Sequence, residues 1–77
     1  MLFNIIEESD LDDGVKRYLI SIKPENQIFL GYILEGFEGF CNYSTVKKDK
    51  TYMQVDISPF FIQEMNEILI SLQKIEL

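Results

Sequence analysis

The chain has 77 residues, a net charge of −6 and a hydrophobic fraction of 47%, which together indicate one small globular domain rather than a disordered segment. Residues 1–14 hold five acidic residues and no lysine or arginine, and the rest of the chain is nearly neutral. An acidic chain lacks the attraction for phosphate that dominates nucleic-acid binding, so we expect no nucleic-acid partner.

The sequence indicates neither membrane insertion nor secretion. The longest apolar run, Ile28–Leu34, is interrupted by Gly31 and is far shorter than the roughly 20 residues that a membrane-spanning helix needs. The N-terminus is apolar but has no basic region and no small-residue cleavage site, which argues against a secretory signal. We therefore expect no membrane partner and a cytoplasmic location.

The first 14 residues form two segments of different character. Met1–Ile6 is short and apolar, and it is predicted to be an extra strand or an arm that packs on a partner. Glu7–Gly14 is charged and ends in glycine, which predicts a solvated loop. We treat residues 1–14 as this arm and loop, and residues 15–77 as a single α+β domain.

A strand and a helix are predicted next. Val15–Lys23 alternates so that Tyr18, Ile20 and Ile22 share one face of a half-buried strand. Pro24 suits the first turn of a helix. The predicted helix is a core element with a wide apolar stripe formed by Phe29, Leu30, Tyr32, Ile33, Leu34 and Phe37. Its end is predicted at Gly39, with Gly36 as the alternative stop.

The second half of the chain predicts a hairpin and a second helix. Phe40–Val46 and Thr51–Ser58 are predicted strands joined by the polar turn 47–50. Ser58 and Pro59 are predicted to open the second helix, as N-cap and first helical residue. The helix is indicated by apolar residues at helical spacing, namely Phe61, Met65, Ile68, Leu72 and Ile75.

The predicted order is β-α-β-β-α, with an optional extra strand at either terminus. This order predicts an α+β, ferredoxin-like sandwich in which two helices cover one face of an antiparallel sheet. Such a domain normally has a fourth strand after the second helix, where only Ile75–Leu77 remains. We expect the edge of the first strand to be open, covered by Met1–Ile6, or paired with a second subunit.

One family resemblance is carried by the helix and its exit. The segment K-P-E at Lys23–Glu25, followed by I-F-L-G-Y-I-L-E-G-F-E-G at Ile28–Gly39 and then a hairpin and a Leu/Ile-rich helix, resembles a small bacterial family known as domain of unknown function 4911. The similarity covers roughly residues 15–75. The resemblance implies a small ferredoxin-like bacterial domain, and it implies no activity and no catalytic residues.

The most unusual local sequence is E-G-F-E-G at Glu35–Gly39. A binding loop for a cation or an amine would use the two carboxylates and the backbone exposed by the glycines, which makes Glu35, Gly36, Glu38 and Gly39 candidate ligand-binding residues. The alternative is an ordinary helix end that needs glycine, with solvated glutamates.

Several chemistries are disfavoured by the residues that the chain lacks. It has no histidine and one cysteine, Cys41, so zinc sites and histidine-dependent triads are not expected. Cys41 lies in an apolar, aromatic strand and is predicted to be a buried small hydrophobe. We expect no enzyme activity, no catalytic residue, no metal site and no cofactor.

The functional prediction is a non-enzymatic interaction or regulatory module that self-associates as a homodimer, through a sheet edge or the uncovered sheet face. Apolar area for such an interface is expected from Phe3, Tyr18, Leu19, Tyr43 and Tyr52. The alternative is a small-molecule-sensing regulatory domain whose ligand binds near residues 35–39.

Overall fold

Four strands form a single antiparallel sheet, and both helices pack on one of its faces. A computed structural model describes residues 1–46 and 48–76. The elements in chain order are β1 (Asn4–Asp10), β2 (Lys16–Ser21), α1 (Pro24–Glu35), β3 (Cys41–Thr45), β4 (Tyr52–Ile57) and α2 (Ile62–Gln73). The order of strands across the sheet is β1-β2-β4-β3.

This strand order confirms the predicted ferredoxin-like α+β arrangement. Strands β2 and β3 are joined through α1, and β4 lies between them, antiparallel to both. The position that a strand after α2 would fill is occupied by β1, which pairs with the outer side of β2. The fourth strand of the sheet therefore comes from the N-terminus, which was one of the predicted alternatives.

The prediction of a loop over Glu7–Gly14 is wrong for its first four residues, because Glu7–Asp10 belongs to β1. Backbone hydrogen bonding to β2 fixes this segment, so its side chains need not alternate. Its carboxylates are tolerated because they lie at the sheet edge, where Lys16 is 3.8 Å from Glu8 and 3.4 Å from Asp10.

The core lies between the helices and the sheet face that carries Tyr18, Ile20 and Ile22, as the alternation predicted. The buried apolar residues are Leu2, Phe3, Tyr18, Ile20, Ile22, Leu30, Leu34, Cys41, Met53, Val55, Ile57, Met65 and Leu69. The N-terminus is held against the end of α2, because the backbone N–H of Leu2 donates to the carbonyl of Gln73 over 3.0 Å.

The second helix begins later than its sequence predicts. Ser58 and Pro59 do not open α2, which starts at Ile62. Residues 58–61 instead form a turn in which the backbone N–H of Phe61 donates to the carbonyl of Ser58. Ile75 and Glu76 form no strand, and Leu77, the last residue of that alternative, lies outside the described residues. Within the described chain, neither helix is long and apolar enough to cross a membrane.

We expect β1 to be an integral part of the fold. Phe3 is 1% exposed, so Phe3→Ala should lower the free energy of unfolding by about 3 kcal/mol or more, through lost burial and the cavity left behind. Ile6 lies at the β1 bulge and is 51% exposed, so Ile6→Ala should change stability by less than about 0.5 kcal/mol. Urea denaturation followed by circular dichroism measures both, and equal effects would contradict the placement of the N-terminal segment that leads into β1.

Candidate interaction surface

The Glu35–Gly39 segment is first of all the end of α1. The helix ends at Glu35, and Gly36 is its C-cap with a φ of −68°, so the alternative stop is the one observed. The chain then turns through residues 36–40. Gly39 has a φ of +89°, a conformation that residues other than glycine rarely adopt. The backbone therefore requires glycine at position 39, whereas the φ of Gly36 is one that any residue adopts.

Glu35 links the helix end to β3. The hydroxyl of Tyr43 donates to Oε1 of Glu35 over 2.8 Å, and this bond to a carboxylate raises the pKa of Tyr43 above its usual value. The tyrosine ring reaches this position because α1 has a glycine beside it. A Cβ at Gly31 would lie 3.1 Å from the Tyr43 hydroxyl oxygen.

The four candidate ligand-binding residues do not form one site. Glu35 and Glu38 line a cleft of about 510 Å³ together with Asn42 and Tyr43. Gly39 lines a different cleft, beside the paired side chains of Arg17 and Asp56. Gly36 lines neither cleft. The first cleft therefore places two carboxylates, a hydroxyl and an amide around an open space.

Cys41 is buried beneath α1, where burial raises the pKa of its thiol. A raised pKa keeps the thiol protonated at neutral pH, and the thiolate is the nucleophilic form. Within residues 1–46 and 48–76, no three or more side chains of the His, Cys, Asp and Glu types cluster to hold a metal ion.

The five residues predicted to supply interface area do not form one patch. Phe3 and Tyr18 are 1% and 4% exposed and belong to the core of the single chain, so the prediction is wrong for these two. Both belong to the core cluster, and the Tyr18 hydroxyl donates to Oδ1 of Asn66 on α2. Leu19 and Tyr52 lie on the opposite sheet face, and both are half-buried.

That opposite face is polar where its strands meet. Arg17 and Asp56 are directly paired in the register of β2 and β4. Their side chains form a two-bond ion pair, with Nε 2.9 Å from Oδ1 and the second bond 3.0 Å long. This arrangement gives the uncovered face little of the continuous apolar area that an interface needs.

The outer side of α1 carries exposed apolar residues. Tyr32 was predicted to belong to the core stripe, and Ile28 was not included in that prediction. Ile28 and Tyr32 are 68% and 73% exposed. They line a groove of about 350 Å³ that ends on β3 at Tyr43 and Thr45. The signal in the sequence was the width of the stripe, since a helix that is apolar on nearly every side cannot bury all of its sides in a two-layer domain.

The outer edge of β3 presents backbone groups for pairing. The carbonyl of Phe40 accepts from Ser58, and the N–H of Val46 donates to Tyr52, so the even-numbered residues point toward β4. Because alternate residues of an antiparallel strand point their backbone groups to opposite sides, Tyr43 and Thr45 direct theirs outward. Among residues 1–46 and 48–76, no strand pairs with this side of β3.

The two edges of the sheet differ in how they are protected. The β1 edge has a bulge between Ile5 and Glu7 and three carboxylates, those of Glu7, Glu8 and Asp10. Bulges and charges are the devices by which natural proteins prevent edge-to-edge pairing. The β3 sequence, C-N-Y-S-T, has no charge and no proline. We call this open edge together with Ile28 and Tyr32 the β3–α1 surface.

The fold defines the chain as an α+β, ferredoxin-like sandwich whose fourth strand is N-terminal. The model of the family described as "Domain of unknown function (DUF4911)" matches residues 20–75, and the chain belongs to that family. The suspected resemblance is thereby confirmed. The search of curated proteins and the search of solved structures gave no match.

The effect of the Tyr43–Glu35 hydrogen bond on the pKa of Tyr43 can be tested by titration. Glu35→Gln should lower the pKa of Tyr43 toward 10, the ordinary value of a tyrosine, because the bond to a charged carboxylate is lost. NMR of ¹³Cζ-labelled tyrosine follows the titration of Tyr43 separately from that of the other tyrosines. Glu38→Gln is the matched control, since Glu38 does not bond to Tyr43, and an equal shift in both variants would contradict the assignment.

In the intact protein, the raised pKa of Tyr43 has a defined effect on stability. A pKa that is higher in the folded chain than in the unfolded chain stabilises the fold below the unfolded value, and this contribution is lost as the pH rises through the folded value. We therefore expect the wild-type protein to lose stability relative to Glu35→Gln above pH 10, measured by urea denaturation across the alkaline range.

Proposed function

We propose that this protein is a non-enzymatic interaction module that works by self-association through the β3–α1 surface. The observation that carries the proposal is the contrast between the sheet edges, because β1 has charges and a bulge whereas β3 has neither. An uncharged open edge is a template for pairing with another chain. Its position beside exposed Ile28 and Tyr32 combines backbone pairing with apolar burial.

The apolar residues give this surface a source of binding free energy. Fully burying a large apolar side chain contributes about 1.5–3 kcal/mol, and a symmetric dimer would bury Ile28 and Tyr32 from both copies. Edge hydrogen bonds mainly fix register, since each contributes only about 1 kcal/mol net.

The proposal places the protein in the cytoplasm of a bacterium. Its one cysteine is buried and unpaired, which fits a reducing compartment. The absence of histidine from the sequence and the protonated state of the Cys41 thiol support a role without catalysis.

The oligomeric state of a variant of the β3–α1 surface tests the proposal. Size-exclusion chromatography with light scattering, from 10 to 500 µM protein, should show a dimer that the double variant Ile28→Lys/Tyr32→Lys converts to a monomer. The substitutions place desolvated charge in the interface. Ile70→Lys is the matched control, since Ile70 is 50% exposed on α2 and outside the proposed surface. A wild-type monomer throughout this range would refute self-association.

A second candidate function is sensing of a small cationic ligand in the cleft lined by Glu35, Glu38, Asn42 and Tyr43. Two carboxylates at an open cleft favour an amine or a divalent cation. A thermal-shift screen of polyamines, amino acids, nucleotides and divalent cations should then raise the melting temperature with one class of compound, and Glu35→Gln/Glu38→Gln should abolish that shift. Silence across the screen would contradict sensing.

A further inference from the structure

We infer that two copies of this chain pair through their β3 strands, antiparallel, with the two-fold axis at Tyr43. This inference rests on the proposed self-association and adds its register. An isologous dimer places the same strand on both sides of its axis. A five-residue strand, Cys41–Thr45, overlaps completely with its copy only when its middle residue lies on the axis.

The outward backbone groups favour the same register. With Tyr43 on the axis, each Tyr43 N–H donates to the carbonyl of the other Tyr43, which is a hydrogen-bonded pair. Each Thr45 N–H then donates to the carbonyl of the opposing Cys41. Moving the axis by one residue shortens the overlap and leaves one end of each strand unpaired.

The side chains near the axis are compatible with this pairing. Opposed residues would be Cys41 with Thr45 and Asn42 with Ser44, so no charges are placed opposite each other within the strand. Tyr43 lies on the face that packs against α1, where its ring touches Gly31. The two-fold axis therefore brings the exposed Ile28 and Tyr32 of the two α1 helices toward each other over the joined sheet.

Charges beyond the strand are complementary under the same symmetry. Before β3 lies the acidic exit of α1, with exposed Glu35 and Glu38, and after β3 lies a turn with exposed Lys48 and Lys50. Antiparallel pairing sets the acidic end of one copy against the basic end of the other. Glu38 lies in the turn at residues 36–40 and Lys48 in a bend, so the two charges lie near the ends of the paired strands and outside the strand register.

Charge reversal at these two positions tests the inference. Glu38→Lys alone and Lys48→Glu alone would each give positions 38 and 48 the same charge, so that like charges meet where the acidic end of one copy faces the basic end of the other. Each variant should weaken the homodimer by about fivefold or more at low salt, and less at 0.5 M salt. A mixture of the two variants should form a heterodimer, because opposite charges then meet at both ends of the paired strands. The double variant Glu38→Lys/Lys48→Glu should dimerise like the wild type.

Native mass spectrometry and sedimentation equilibrium distinguish the outcomes. Comparing Glu38→Lys with the surface control Glu67→Lys separates the effect of a local charge contact from the effect of net charge. Both substitutions change the net charge equally, but Glu67 lies on α2, away from the proposed interface. A wild-type monomer would refute both the register and the proposed function. A wild-type dimer whose single variants associate normally, or whose mixture shows no preference for the heterodimer, would refute the register and leave self-association standing.

Cysteine pairs give a second readout that does not depend on charge. Directly opposed residues that are not hydrogen-bonded have Cα atoms about 4.5 Å apart, which is within the range of a disulfide. Asn42→Cys mixed with Ser44→Cys should therefore cross-link on oxidation, whereas each variant alone should not. Both side chains are exposed, so neither change threatens the fold. Equal cross-linking of Asn42→Cys with itself would overturn the register.

Discussion

The backbone pairing of β1 with β2 sets what the N-terminal segment buries and which strands form the two edges of the sheet. It places Leu2 and Phe3 in the core and closes the edge that a β-α-β-β-α order would leave open. A domain of this size has little surface to bury, so one buried phenylalanine is a substantial part of its stability. With this edge filled from within the chain, the sheet has two edges, β1 and β3, and β3 is the one through which we propose self-association.

The two sheet edges therefore have different roles. Carboxylates and a bulge on β1 oppose pairing with another chain. Two of those carboxylates, on Glu8 and Asp10, form ion pairs with Lys16 on the neighbouring strand β2. The β3 edge has none of these protections, and α1 beside it exposes apolar residues. The acidity of Glu7, Glu8 and Asp10, which looks from the sequence like that of a solvated loop, is better understood as protection of an edge strand.

The Glu35–Gly39 exit also has a clearer role. The backbone after α1 explains Gly39, and Glu35 is bonded to Tyr43. Because Tyr43 is the central residue of β3, the exit and the edge strand form one continuous surface. A function at this surface would involve the acidic exit even if its glutamates bind no ligand.

The β2 and β4 strands, both helices and the fold class could be predicted from the order of residues, because period-two and helical spacing report which residues face a core. The family was indicated separately, by the resemblance carried by the Lys23–Gly39 segment. The position of the N-terminal segment depends on contacts distant in the chain, because an edge strand held by backbone hydrogen bonds needs no alternating side chains. The exposure of Tyr18 and Tyr32 also depends on the tertiary structure, because both tyrosines lie in an apolar sequence pattern that predicts burial. Tyr18 is covered by α2, whereas Tyr32 lies on the outer side of α1, and exposure depends on which neighbour the fold supplies.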